Sequence, residues 1–422
     1  AGVSAVEEAS RDGVPEGLVG RVVTDLFVRP PGNFAALDGM RAIAVLLVLV
    51  FHCGLWGGAL TFAPQGAARR LLEGCRMGVD VFFVLSGFLI GRMLLCDLVR
   101  DGWLHWSRFF VRRSFRIFPA YWLVLGTMLA LGAGGMGAAW FYLFGTTDPA
   151  VLRSLAWQNV AYLNNYLQPS GGVTVMSWAW SLCVEEHFYL LLPPLLWAIF
   201  RATRRLRLPL LVACTLVPVA LRGLQHALDP SILPVDGFYF RSHNRFDQLF
   251  VGVLVAYLEV VHPGGMSNWA RRFHHVLWPV GLALVALAWG RGAISEGGAF
   301  PVVWQYAVMA TGVALVMVNA LHLPNALTRF LSVRAWYPVA RVSYGMYLVH
   351  PFVIFAIVSS SLRLRMIPPG VPGFIVLCVT VFVVAMLLAS LLYLLVEKPF
   401  LDLGARLASR VDARAVARRV RA

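Results

Sequence analysis

Residues 41 to 52 read RAIAVLLVLVFH, ten apolar residues bounded by Arg41 and His52. On an α-helix, eleven steps of 100° make three turns plus about 20°, so both titratable groups share one face, roughly 16 Å apart along the axis. That spacing is about half the hydrocarbon thickness of a bilayer. An ionisable group inside such a run is costly unless it faces a cavity or a partner, which makes each one a functional candidate.

The remainder of the chain has the same character. Its 422 residues are 59% hydrophobic and only 14% charged, with a mean hydropathy of +0.72. These values lie far from soluble averages and predict an all-α, polytopic integral membrane protein. The formal charge of +15 does not point to nucleic acid, because no basic face with interleaved aromatics appears. Basic residues of membrane proteins instead gather in cytoplasmic loops that face anionic lipid. Lys398 is the only lysine. The six cysteines, Cys53, Cys75, Cys96, Cys183, Cys214 and Cys378, are scattered without CxxC spacing and read as buried apolar thiols.

Apolar runs long enough to span begin near Ala36, Met77, Phe118, Ser181, Leu208, Arg245, His274, Phe300, Arg341 and Val371, each continuing for roughly 17 to 26 residues. About ten transmembrane helices are therefore expected. Placing both termini in the cytoplasm puts 25 of the 36 Lys and Arg residues on inner segments, as the positive-inside rule favours. Residues 1–33 read as a flexible cytoplasmic arm without a cleavable signal, 34–401 as the transmembrane domain and 402–422 as a basic cytoplasmic tail. The stretch VLRSLAWQNVAYLNNYL, residues 151–167, reads as an interfacial or re-entrant helix. An eleventh span there would push the basic tail outside.

Several polar groups interrupt these runs. In WSLCVEEHFY, Ser181, Glu185 and Tyr189 recur every four residues and so align on one helix face, with Glu186 and His187 turned away. In this topology Glu185 lies at a depth similar to His52. Asp80 opens the second span, with Ser86 further along it, and Arg245 and Asp247 open the sixth. Convergence of these faces would make a polar pocket in the outer half of the membrane. On the inner side, Arg113 and Arg116 are three residues apart and share a face. With Arg41 they suit a polyanion, since guanidinium forks match phosphate oxygens; plain topology signalling explains the same arginines equally well. For Ser86, Ser181 and Tyr189, ordinary interhelical hydrogen bonding explains the residues comparably well. No nucleotide-binding, serine-hydrolase or zinc-protease motif stands where its mechanism would need it, and no metal site is expected.

The setting LDGMRAIAVLLVLVFH resembles the start of the membrane-bound acyltransferase-3 family, marked by a basic residue, ten intervening residues and His. GVDVFFVLSGFLI, the Arg113 and Arg116 pair, WSLCVEEHFYLLLP, NRFDQLFVGVLVAYL, SYGMYLVHPF and VEKPF are similar to later family segments, in order, from about Phe34 to Leu401. His187, where many members carry Gln, and Ala179, where a polar residue or Thr is frequent, depart from the pattern. Within these 422 residues no segment is expected to form the extracytoplasmic hydrolase-like domain that some members attach.

The resemblance implies transfer of an acyl group, commonly acetyl, from cytoplasmic acyl-CoA to a hydroxyl of a glycan, glycolipid or secondary metabolite at the plasma (inner) membrane, with no permanently bound cofactor. Arg41, Arg113 and Arg116 would hold the donor phosphates while the pantetheine arm runs along the first helix. His52 would act as general base, oriented by Glu185, with an acyl-histidine intermediate as the variant. Asp80, Arg245 and Asp247 would line the acceptor side, Ser181 and Tyr189 would position substrate, and Ser86 would also bind it. Two rivals remain: a proton-coupled transporter, which inverted repeats would favour and for which none are found, and a macrolide or other secondary-metabolite acyltransferase.

Overall fold

The computed structural model describes residues 17–57, 67–133, 148–167, 175–232, 234–291, 298–364 and 370–420. Among these every regular element is helical. Eight helical runs are long and apolar enough to cross a membrane: Ala35–Trp56, Ala68–Asp101, Trp106–Leu131, Ser177–Arg201, Arg204–Leu228, Phe300–His322, Ser343–Ser360 and Gly370–Ala413. Helices close every backbone hydrogen bond within the segment, which hydrocarbon demands. The sixth and seventh expected spans are shorter. Phe246–Val261 has 16 residues, or about 24 Å of rise, and bends by 110° into Gly265–Arg272. Leu277–Arg291 has 15 residues. The break in the sixth falls at Gly264, whose φ of +78° is the left-handed conformation that ends helices and that glycine adopts at least cost.

We number the principal helices α1 (Leu18–Phe27), α2 (Ala35–Trp56), α3 (Gly78–Asp101), α4 (Trp106–Ala133), α5 (Pro149–Val160), α6 (Trp180–Arg201), α7 (Arg204–Leu228), α8 (Phe246–Val261), α9 (Leu277–Arg291), α10 (Gln305–His322), α11 (Trp336–Arg341), α12 (Ser343–Leu364), α13 (Gly370–Leu392) and α14 (Lys398–Val420). The helix of RAIAVLLVLVFH, α2, is central and packs against α3, α11, α12 and α13. The tightest pair is α3 with α8, where Gly87 meets the Leu249 backbone and Gly252 meets the Val84 carbonyl. Lipid tails give helices no hydrophobic reason to associate, so backbone approach at small residues supplies the van der Waals contact. A side chain at either glycine would overlap backbone. Gly252→Val should therefore cost about 1–3 kcal/mol or more, seen as a lower melting midpoint in detergent; an unchanged midpoint would refute the close approach.

The ends are more ordered than the sequence suggests. Within the stretch read as a flexible arm, α1 is helical, and Asp25 pairs with Lys398 at 3.2 Å. Residues 1–16 lie outside the described residues. The tail does not form a separate surface helix: α14 continues α13 through a π-helical turn, Tyr393–Glu397, and packs along α4. His105 and Arg108 both bond Asp412 there, the arginine at 3.0 Å. The stretch read as re-entrant holds α5, of 12 residues, too short to cross a bilayer alone.

Candidate active site

A cavity of about 380 Å³ opens where α2, α3, α4, α6, α11, α12 and α14 meet. Its lining includes Arg41, Ser86, Arg113, Arg116, Ser181, Glu185 and Tyr189. The two arginines of α4 reach this depth because that helix begins at Trp106 and not near Phe118, which carries them inside the bundle. Arg113 lies over the Tyr189 ring, 5.3 Å from its centroid. The Tyr189 hydroxyl donates to Glu185 Oε2 at 2.9 Å and stands 2.8 Å from Ser86 Oγ. Ser86, Tyr189 and Glu185 thus form one chain along the cavity wall.

The charges in this cavity do not balance among themselves. Four arginines, with Arg341, face three carboxylates, Asp38, Glu185 and Glu397. Asp38 is already committed to Arg29 at 2.8 Å. None of Arg41, Arg113 and Arg116 makes an ion pair with another described residue. Guanidinium groups gathered at low dielectric repel one another strongly, and an anionic ligand with several oxygens would relieve them.

His52 stands elsewhere, and Glu185 does not orient it. Its Nδ1 is 3.0 Å from Nε2 of His350, while His350 Nδ1 is 3.1 Å from the Met346 carbonyl. In its neutral form His350 donates its Nδ1–H to that carbonyl, which leaves a lone pair at Nε2. His52 must then carry its proton on Nδ1 and its own lone pair on Nε2. Trp56 stacks on the His52 ring with centroids 4.4 Å apart. His350 is buried, 1% exposed, and His52 is partly exposed.

Neither imidazole lines the cavity. Tyr347 does line it, and its ring lies 5.8 Å from that of His350. Its hydroxyl is 2.6 Å from Ser181 Oγ and donates to the Trp178 carbonyl. Ser181 and Tyr347 both line the cavity, so Tyr347 is a lining residue that also touches His350 of the histidine pair.

Asp80, Arg245 and Asp247 do not join these groups. Asp80 pairs with Arg245 at 2.6 Å and accepts from Gln248. Asp247 pairs with Arg222 at 2.6 Å. The Arg245 guanidinium is boxed by aromatic rings, Tyr306 at 4.0 Å and Tyr239 at 5.0 Å. Charges buried this deeply are held by pairing and cation–π contact, and they bind α8 to α3 and α7. Asp97, Asp101 and His105 also gather ligand atoms within 4.8 Å of one another. There, however, Arg108 takes Asp97 at 2.7 Å and Arg100 takes Asp101 at 2.7 Å.

His350 and Glu397 are absent from the sequence reading although a signal existed: each is an ionisable residue in an apolar stretch, in SYGMYLVHPF and VEKPF.

The acyltransferase-3 family model, described as an acyltransferase domain, matches residues 34–390. Among curated relatives, YrhL of Bacillus subtilis, provisionally named a peptidoglycan O-acetyltransferase, is 27% identical over 89% of this chain and 56% of its own length. The O-acetyltransferase OatA of Staphylococcus aureus is 24% identical over 77% of this chain and 51% of its own. The peptidoglycan O-acetyltransferase OatA of Listeria monocytogenes is 27% identical over 53% of this chain and 33% of its own. The chain thus spans about half the length of the first two relatives. No solved structure matches it. With the Arg41 to His52 helix, the arginine pair of α4 and the Ser181, Glu185, Tyr189 face in place, the chain belongs to the acyltransferase-3 family.

Proposed function

We propose that this protein is a multi-pass membrane O-acyltransferase that moves an acyl group, acetyl in the simplest case, from cytoplasmic acyl-CoA to a hydroxyl of a glycan. The observation that carries this reading is the arginine-rich cavity beside α2, one of whose lining residues, Tyr347, sets its ring near that of His350, the partner of His52. The names of the Bacillus subtilis and Listeria monocytogenes relatives, which include peptidoglycan, support the glycan acceptor.

Arg41, Arg113 and Arg116 take the donor phosphates on the cytoplasmic side. The rise of roughly 16 Å from Arg41 to His52 is covered by the pantetheine arm, which carries the thioester past Tyr347. The acceptor hydroxyl approaches the partly exposed His52. Nε2 of His52 removes the hydroxyl proton as the oxygen attacks the thioester carbonyl; the carbon–sulfur bond breaks, and the imidazolium returns the proton to the departing thiolate. His350 keeps the His52 proton on Nδ1, so that Nε2 remains the base. Glu185, through Tyr189 and Ser86, shapes the donor wall beside Arg113.

The test is purified full-length chain in proteoliposomes, supplied with radiolabelled acetyl-CoA and peptidoglycan fragments. Label should move to the glycan as a base-labile ester with release of free thiol. Thioester that stays intact while the vesicles take up solute would establish a transporter instead.

A further inference from the structure

The mechanism above leaves four residues of the cavity lining unused, Tyr337, Arg341, Tyr393 and Glu397. Each carries a buried polar atom without a hydrogen-bond partner: Tyr337 Oη, Arg341 Nε, Tyr393 Oη and Glu397 Oε1. Three of these residues are almost wholly buried, Tyr337 at 3%, Tyr393 at 2% and Glu397 at 6% exposure. Leaving one such group unsatisfied is costly, and four of them around one cavity mark a place shaped for something else.

The backbone supports the same conclusion. Tyr393 and Glu397 are the two ends of the π-helical turn between α13 and α14. Such turns are rare and recur at functional sites, because the wider turn re-aims side chains that an α-helix would separate. Here it sends both groups into the cavity. The Arg341 guanidinium lies over the Tyr393 ring, 4.8 Å from its centroid, which leaves a flat cationic and aromatic surface beside a carboxylate.

The donor set discriminates between ligands. A bare phosphate offers nothing to Glu397, which would repel it. A nucleoside phosphate offers hydroxyl and amino donors for the carboxylate, acceptors for the two phenols, a planar base for the aromatic surface and phosphate oxygens for Arg341 and Arg116. We propose that Tyr337, Arg341, Tyr393 and Glu397 form the subsite for the nucleoside end of the acyl-CoA donor. This places the nucleotide against α11 and the π turn and directs the pantetheine arm toward Ser181 and Tyr347. It rests on the donor reading above.

The probe is adenosine 3′,5′-bisphosphate, whose binding needs no turnover. Calorimetry on the full chain in detergent compares the wild type with Glu397→Gln and Tyr393→Phe, which keep side-chain size and are checked by their melting midpoints. Affinity should fall about tenfold in each, and the KM for acetyl-CoA should rise in parallel with kcat unchanged. The KM for acetyl-phosphopantetheine, which lacks the nucleoside, should be the same in all three proteins. Equal affinity for the bisphosphate in wild type and variants, or an equal rise in KM for both donors, overturns the subsite. Wild type that binds the bisphosphate through Glu397 and Tyr393 but never consumes acetyl-CoA would support the subsite and defeat the donor reading.

Discussion

His52→Ala should lower acyl transfer by about 10²–10⁴-fold, the usual contribution of a positioned general base. The loss should fall on kcat, with the KM for acetyl-CoA nearly unchanged, because His52 does not line the arginine cavity. His350 gives the finer test. Its Nε2 accepts from His52 Nδ1 at 3.0 Å, and that bond decides which His52 nitrogen is the base. His350→Leu removes the acceptor and should lower kcat by about an order of magnitude or more, whereas His350→Gln offers a carbonyl oxygen in its place and should retain part of the rate. Rapid-quench measurement of a single turnover separates this chemistry from donor binding. A His52→Ala protein with a normal melt and full transfer would end the proposed role.

The arginines carry the second large effect, and it should appear in the other kinetic constant. Hydrogen bonds to charged groups contribute about 1.5–3 kcal/mol each, and every 1.4 kcal/mol is about tenfold in affinity. Arg113→Gln or Arg116→Gln should therefore raise the KM for acetyl-CoA by at least about tenfold while kcat changes little. Arg41→Gln should act in the same direction. The double Arg113→Gln, Arg116→Gln protein should fall short of the product of the single effects, because the two guanidiniums repel one another in one cavity and removing the first relieves the second. An unchanged KM in the single variants would return both residues to the role of topology signals.

Different parts of the molecule were legible in the sequence to different degrees. Apolar runs of span length predicted ten helices, and a helix lies at each expected place. Two of them stop early, since a run of hydrophobicity carries no mark of where the sixth breaks except Gly264. The Ser181, Glu185, Tyr189 stripe was readable because four-residue spacing puts side chains on one face whatever surrounds the helix. The partner of that face was not readable. Depth counted along isolated helices placed Glu185 beside His52, yet α4 starts early enough to bring Arg113 to Tyr189 and Glu185 instead. Asp80, Arg245 and Asp247 had the signature of functional charges in the membrane, and the packing turned them into ion pairs.

By itself the sequence determined that the chain is a bundle of membrane helices of the acyltransferase-3 kind, with His52 on the same helix face as Arg41. Those are local properties: a bilayer selects segments by their hydrophobicity, and a helix sets its own faces. Only the tertiary structure decided that His350 holds His52, that Glu185 belongs with the arginines, and that Tyr393 and Glu397 share their cavity. Such pairings depend on how deeply each helix sits and how closely its backbone approaches its neighbours, as at Gly87 and Gly252. They arise from packing between residues from tens to about three hundred positions apart, which no single segment encodes.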